Sequence, residues 1–203
     1  MKNYKLSDKT KTLPRGTVLH RVVATTTFTL ACGLTINAGD VGGWIEKESN
    51  LSGNAWVFGN AQVYDDARVF GDAQVYDDAR VFGNAEVSGN AQVYGNAEVC
   101  DSAQVSDNAE VYDNTWISDN TWIYDDAKVY GNTLVSGNAQ ISGNAQVYGN
   151  VLVSDNARVS GNAKVYDNAW IFSDARVSDN AQVYGRARVS DNAQVFDNTQ
   201  VSD

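Results

Sequence analysis

The chain has 203 residues, 43% of them hydrophobic and 20% charged, which is enough for one domain with a sizeable core. Its net charge of −10 is uneven: residues 1–50 carry about +3 and residues 51–203 about −13, so the body would repel a nucleic-acid backbone. One proline excludes a Pro-rich linker protein, and two cysteines, Cys32 and Cys100, form neither a metal-ligand spacing nor a disulfide framework.

In chain order, the first 44 residues read as a β cap. Its strand-like stretches are Thr17–Ala24, Thr26–Ala31 and Gly39–Trp44. Thr29-Leu30-Ala31-Cys32-Gly33 loosely resembles a lipidation site, but the four threonines of Val22–Ala31 favour an ordinary strand.

From Leu51 to Val201 an aliphatic residue recurs at every sixth position without a break, and Ile45 extends the register one step back. Two residues before each aliphatic stands a small residue: of the 25 such positions from Ala55 to Thr199, 20 are Ala, four are Thr and one is Val151. A spacing of two places both on one face of a strand. Turn formers such as Gly53-Asn54, Asp65-Asp66 and Asp119-Asn120 separate the units, and Asn or Asp there can bond its own backbone. Each hexad is therefore a short strand plus a corner.

The number of hexads per coil is also readable. Taken every 18 residues, one column holds Phe58, Tyr76, Tyr94, Tyr112, Tyr130, Tyr148, Tyr166 and Tyr184, while the two sister columns mix serine with scattered Phe, Tyr and one Cys. Residues 18 apart must therefore be neighbours, and three hexads make one triangular coil. Residues 51–203 then form 8.5 coils, a prism roughly 41 Å long at the strand spacing of about 4.8 Å. The domain reading is a 1–44 cap followed by a 45–203 repeat body.

Val-Tyr-Gly-Asn-Ala-Gln and Val-Ser-Asp-Asn-Ala-Arg resemble the hexapeptide-repeat family, which implies an all-β, left-handed parallel β-helix. The left hand comes from that resemblance alone, because the general rule for parallel crossovers gives the opposite hand. Gly16–Ala24 and Ala38–Glu46 resemble the N-terminal segment of YdcK-like bacterial and prophage proteins, often labelled transferases.

Acyltransferases of the hexapeptide family imply a histidine base and loops that leave the coil. Here the only histidine is His20, in the cap, and the unbroken series of aliphatics leaves no room for a protruding loop. No concave site and no catalytic residue are expected, and neither cofactor nor metal. Carboxylates such as Asp65-Asp66, Asp77-Asp78 and Asp125-Asp126 belong to corners, with a cation between stacked Asp107 and Asp125 the weaker alternative. Cys100 falls in an outward column between Phe82 and Ser118.

The outward position before each aliphatic is normally Gln, Glu, Arg or Lys. In one column it becomes Trp116, Leu134, Leu152 and Trp170 in four consecutive coils, and Arg188 restores the polar rule. Phe172 stands two residues from Trp170, and Trp122 just beyond the corner is expected to extend the strip. An apolar strip with a polar rim is the look of an interface. The expectation is a non-catalytic, cytoplasmic scaffold that binds a protein partner or itself, with neither nucleic acid nor membrane as partner. A phage-encoded protein acting on a host protein fits this reading. The alternative is a transferase whose pocket forms between subunits. The aromatic column is expected to stack between coils. The C-terminal edge reads as uncapped, a polar edge or a site of end-to-end pairing.

Overall fold

A computed structural model describes residues 2–203. It is a parallel β-solenoid of about nine turns with 18 residues per coil. The only helical turn among the described residues is Glu48–Asn50, at the entry to the coils.

The N-terminal part contains five strands: β1 (Tyr4–Thr12), β2 (Val18–Ala24), β3 (Phe28–Thr29), β4 (Thr35–Ile36) and β5 (Val41–Ile45). β1 and β2 pair antiparallel, as do β2 and β5. β5 then pairs parallel with the first coil strand of its face, matching Trp44 to Gln62 and Ile45 to Val63. The antiparallel segment therefore covers the open edge of a parallel sheet.

After β5 the chain makes 25 strands of two to four residues, β6 (Trp56–Val57) through β30 (Gln200–Val201). They fall into three faces. The first face carries Gln62, Arg80, Glu98, Trp116, Leu134, Leu152, Trp170 and Arg188 as its outward residues. The second begins at Arg68 and ends at Gln194; the third begins at Trp56 and ends at Gln200. Every coil pair is in register at a separation of 18 residues, as in Glu110 with Lys128 and Val111 with Val129.

The core is a continuous column of Ala and aliphatic side chains, nearly all fully buried, running from Ile45 to Val195. Tyr4, Val22, Leu30 and Ile36 join the same cluster. Where Thr replaces the small Ala, the hydroxyl bonds a carbonyl three residues back: Thr115 to Tyr112, Thr121 to Ser118 and Thr133 to Tyr130, each at 2.7 Å. The substitution thus adds a methyl to the core without an unsatisfied polar atom.

The corners have a uniform chemistry. Twelve aspartates sit there with φ between 56 and 63°, a region Asp tolerates better than most residues. In all but Asp191 and Asp197 the carboxylate accepts from the backbone N–H of the next coil, as Asp119 does from Gly137 at 2.9 Å and Asp125 from Gly143 at 2.9 Å. The following asparagines bond each other rather than their own backbone, in ladders such as Asn96–Asn114–Asn132–Asn150–Asn168. An exact 18-residue repeat stacks each amide on its copy one strand spacing away, so the intercoil bond is available at every step.

Two expectations for the N-terminal segment need correction. β1 has no apolar run and is not among the expected strands; it pairs antiparallel with β2 over Tyr4–Leu6 and Thr10–Thr12, with an irregularity between them. The stretch Thr26–Ala31 is strand only over Phe28–Thr29, because Leu30 to Leu34 closes a tight turn through Gly33 at φ +88° and returns as β4.

Candidate functional site

The expected strip exists as a continuous column on the first face. Trp116 pairs with Leu134, Leu134 with Leu152, and Leu152 with Trp170, all in register. Trp116 is 48% exposed, Leu134 40% and Trp170 40%, while Leu152 is half-buried. Charged residues bound the column at both ends. Glu98 precedes Trp116 and is bridged by Arg80 at 3.3 Å. Arg188 follows Trp170 and lies over its ring, with the guanidinium carbon 4.4 Å from the centroid. Stacking of this kind keeps the cation in water while covering part of the indole.

The other two expected members are placed differently. Phe172 is half-buried at the corner beyond Ile171, in a column with Ser154 and Ser190 rather than on the face itself. Trp122 lies on the second face, between Gln104 and Gln140, and does not extend the strip. A step of six residues carries the chain around a corner, so an indole six residues after Trp116 faces another direction. Trp122 instead lines a pocket of about 310 Å³ with Gln104, Ser106, Asp107 and Tyr124.

The aromatic column is a stack. From Tyr76 to Tyr184, successive ring centroids are 4.6–5.2 Å apart and the planes differ by 3–7°. Phe58 meets Tyr76 edge-on at 6.3 Å and 88°. Burial within this stack pushes the Tyr76 phenol up to about 12, with Asp77 and Glu110 adding to the shift. Tyr94 and Tyr112 move in the same direction, again mainly through burial. Rings held face to face at these distances satisfy one another. The column braces the corner between the third face and the first.

A concave site was not expected, yet one is present. The coils themselves add no loop, but the β3–β4 hairpin leans on the first two coils and leaves an open cleft of about 720 Å³. Leu34, Phe58 and Tyr76 form its apolar walls, and Arg21, Gln74, Asp77 and Asp78 supply polar groups. Arg21 is partly engaged: its Nη1 donates to the carbonyls of Gly42 and of Gly59, a lining residue, both at 2.6 Å, while its buried Nε has no partner among the described residues. Its guanidinium also lies 4.4 Å from the Trp44 centroid, with Lys11 Nζ 4.7 Å from the same ring. Burial lowers the Lys11 pKa, and repulsion from Arg21 and Arg80 lowers it further. The cleft thus lies where the N-terminal segment docks on the first coils. His20 does not line it, and its Nδ1 stands 3.2 Å from the Ser7 carbonyl.

Cys100 also departs from expectation. Its column faces outward, but the residue is only 2% exposed. Burial pushes its thiol up to about 12, and the Asp101 carboxylate adds to this. The sequence reading also passed over Trp56, which occupies an outward position but is 2% exposed because Phe28 packs edge-on against it at 5.7 Å. The signal was available: a Trp where the pattern calls for a polar residue, in the coil nearest the N-terminal segment. Asp107 turns its carboxylate to the Asp125 amide at 3.4 Å and the Ser106 hydroxyl at 3.2 Å. Among the described residues there is no cluster of three or more metal-ligating side chains, and no helix is long and apolar enough to cross a membrane.

The YdcK Beta solenoid repeat family matches this chain at residues 61–75, 73–89, 103–119, 139–154, 145–161 and 181–197. No curated protein matches it. The matched segments recur along the body, and all lie within the coils.

Proposed function

We propose that this YdcK-like β-solenoid repeat protein is a non-catalytic scaffold that docks a protein through its first face. The observation that carries this reading is the in-register column Trp116–Leu134–Leu152–Trp170, four consecutive apolar outward residues between charged ends, where the same strand position elsewhere is polar except at Trp56 and Trp122. Trp is prominent among residues that dominate binding energy, and an apolar centre with a charged rim is how such sites are organised. The solenoid supplies rigidity, because every coil is bonded to the next along all three faces. Little ordering entropy is then lost when the face is covered.

The acidic body argues against direct nucleic-acid binding. The resemblance of the N-terminal segment to prophage proteins makes a host protein one candidate occupant, and a second copy of the chain is another. An acyl-transfer reading finds little support, since the only histidine bonds a backbone carbonyl outside the cleft.

The test is the double substitution Leu134→Lys with Leu152→Lys. Both side chains point outward, so the core and the melting temperature should be preserved. The variant should lose self-association and any protein captured by the wild type. Unchanged sizing by light scattering together with unchanged capture would reduce the strip to surface packing.

A further inference from the structure

The first face reads, coil by coil, Glu98, Trp116, Leu134, Leu152, Trp170, Arg188. The sequence of side-chain types is the same in both directions, except that the two ends carry opposite charges. Its midpoint falls between Leu134 and Leu152. At a coil spacing of about 4.8 Å, the Trp residues lie roughly 7 Å and the charges roughly 12 Å to either side.

We infer that the occupant of this face is a second copy of the chain, docked face to face with its stack axis antiparallel. The inference rests on the docking-face reading above. A two-fold axis along the strand direction, through the midpoint, sets Leu134 on the partner's Leu152 and Trp116 on the partner's Trp170. The same rotation brings Glu98 opposite the partner's Arg188, twice per dimer. The alternative two-fold, parallel to the stack axis, sets every residue on its own copy. That arrangement opposes Glu98 to Glu98 and Arg188 to Arg188, so like charges meet at both ends. Charge complementarity therefore selects the antiparallel dimer. An isologous interface demands a self-complementary patch of this kind, whereas a foreign partner does not. Register is fixed as well: a slip of one coil moves each Trp off its partner and separates both ion pairs by one strand spacing. Arg188 already extends over Trp170, so it stands at the rim in the position from which it can reach a facing carboxylate.

The experiment is a charge swap read by sedimentation equilibrium on the whole chain, with circular dichroism melting as the check on folding. Glu98→Arg and Arg188→Glu, each alone, place like charges opposite one another at both ends and should raise the dimer dissociation constant about tenfold or more. The double variant restores two opposite pairs and should return dimerisation to near the wild-type level. Arg188→Glu disturbs no intramolecular ion pair, so it remains informative even if Glu98→Arg perturbs the contact with Arg80. A monomeric wild type overturns the inference, as does a dimer that the single reversals leave intact or that the double variant fails to restore. The Lys pair at 134 and 152 separates this failure from failure of the docking face. If the wild type is a monomer but the Lys pair still abolishes capture of a foreign protein, the face docks that protein and only the self-association is wrong. If a dimer forms and the Lys pair leaves it intact, both readings fall.

Discussion

Replacing an inward valine by alanine should cost an amount set by the coil in which it sits. Val129, in the middle of the stack, is fully buried and has coils above and below it. Removing its two methyl groups forfeits about 1.6 kcal/mol of transfer free energy, and the residual cavity raises the total to about 2.5 kcal/mol. The three-sided coil cannot collapse onto the void without breaking its register with both neighbours, so relaxation recovers little of this. Val201 has the same chemistry but is only partly buried in the last coil, and its replacement should cost less than about 1 kcal/mol. Val195, 8% exposed, should fall between them. Equilibrium urea unfolding followed by far-ultraviolet circular dichroism gives the three values, and amide exchange localises the loss to the mutated coil and its neighbours. Equal costs at 129 and 201 would refute the reasoning, because they would mean that stability is shared by the whole stack rather than built from nearest-neighbour contacts.

The tyrosines make a pH prediction. Tyr4 and Tyr76 ionise at about 12 in the folded chain, against about 10 when unfolded; the unfolded chain therefore loses their protons first, and stability should hold below about pH 10 and fall as pH rises towards 12. Thermal melting across that range, with phenolate absorbance followed in parallel, checks it; a melting temperature flat to pH 12 would contradict the shift. Thiol titration should show Cys32 reacting promptly and Cys100 silent until denaturant is added, since only the former is exposed and the latter's thiolate is disfavoured. Gly43→Ala should loosen the N-terminal segment, because a Cβ there would lie 2.5 Å from the Val57 side chain and 2.8 Å from the Ala61 carbonyl; faster proteolysis within residues 2–45, with the coils intact, is the expected readout.

The repeat body was legible because its signal is redundant. Each coil states the same facts about Val, Ala and the corners, and the aromatic column fixes the coil length independently of them. The strip Trp116–Leu134–Leu152–Trp170 was legible for the same reason: an 18-residue register turns a list of positions into a column, so a departure from the polar rule is visible at once. Trp122 does not join the strip because the corner it lies beyond turns its strand onto the second face. The N-terminal segment was less readable because nothing in it repeats. β1 is a mostly polar edge strand, anchored by pairing with β2 and by the buried Tyr4, so no alternating apolar pattern announces it. The cleft between the hairpin and the coils depends on how two elements meet, which no local pattern encodes. Even so, Gly42-Gly43-Trp44 carried a trace of it: both glycines face backbone too near for a side chain, and the Trp44 ring is flanked by Lys11 and Arg21.

An exact period has a consequence for how such a surface can be specific. On an irregular protein, a binding patch is set by loops whose relative positions depend on many contacts. Here the spacing along a face is the strand spacing, fixed by backbone bonds such as Trp116 N–H to the Thr133 carbonyl at 2.9 Å and Ser118 N–H to the Val135 carbonyl at 3.0 Å. A face is then a ruler, and the only freedom left to the sequence is which mark carries which side chain. A perfectly uniform ruler would bind its copy in every register with nearly equal free energy per contact. Departure from uniformity is what limits the registers. Four apolar marks closed by Glu98 on one side and Arg188 on the other give one register in which all six positions find complementary partners, and each slip exposes a Trp and unpairs a charge. The cost of interrupting the polar rule is small, because the inward positions beneath the strip change only slightly: Thr115, Thr133 and Val151 replace Ala, with both hydroxyls bonded, and Ile117 and Ile171 replace Val. Solenoid faces can therefore acquire a directional interface by a handful of outward substitutions, with the fold held constant underneath.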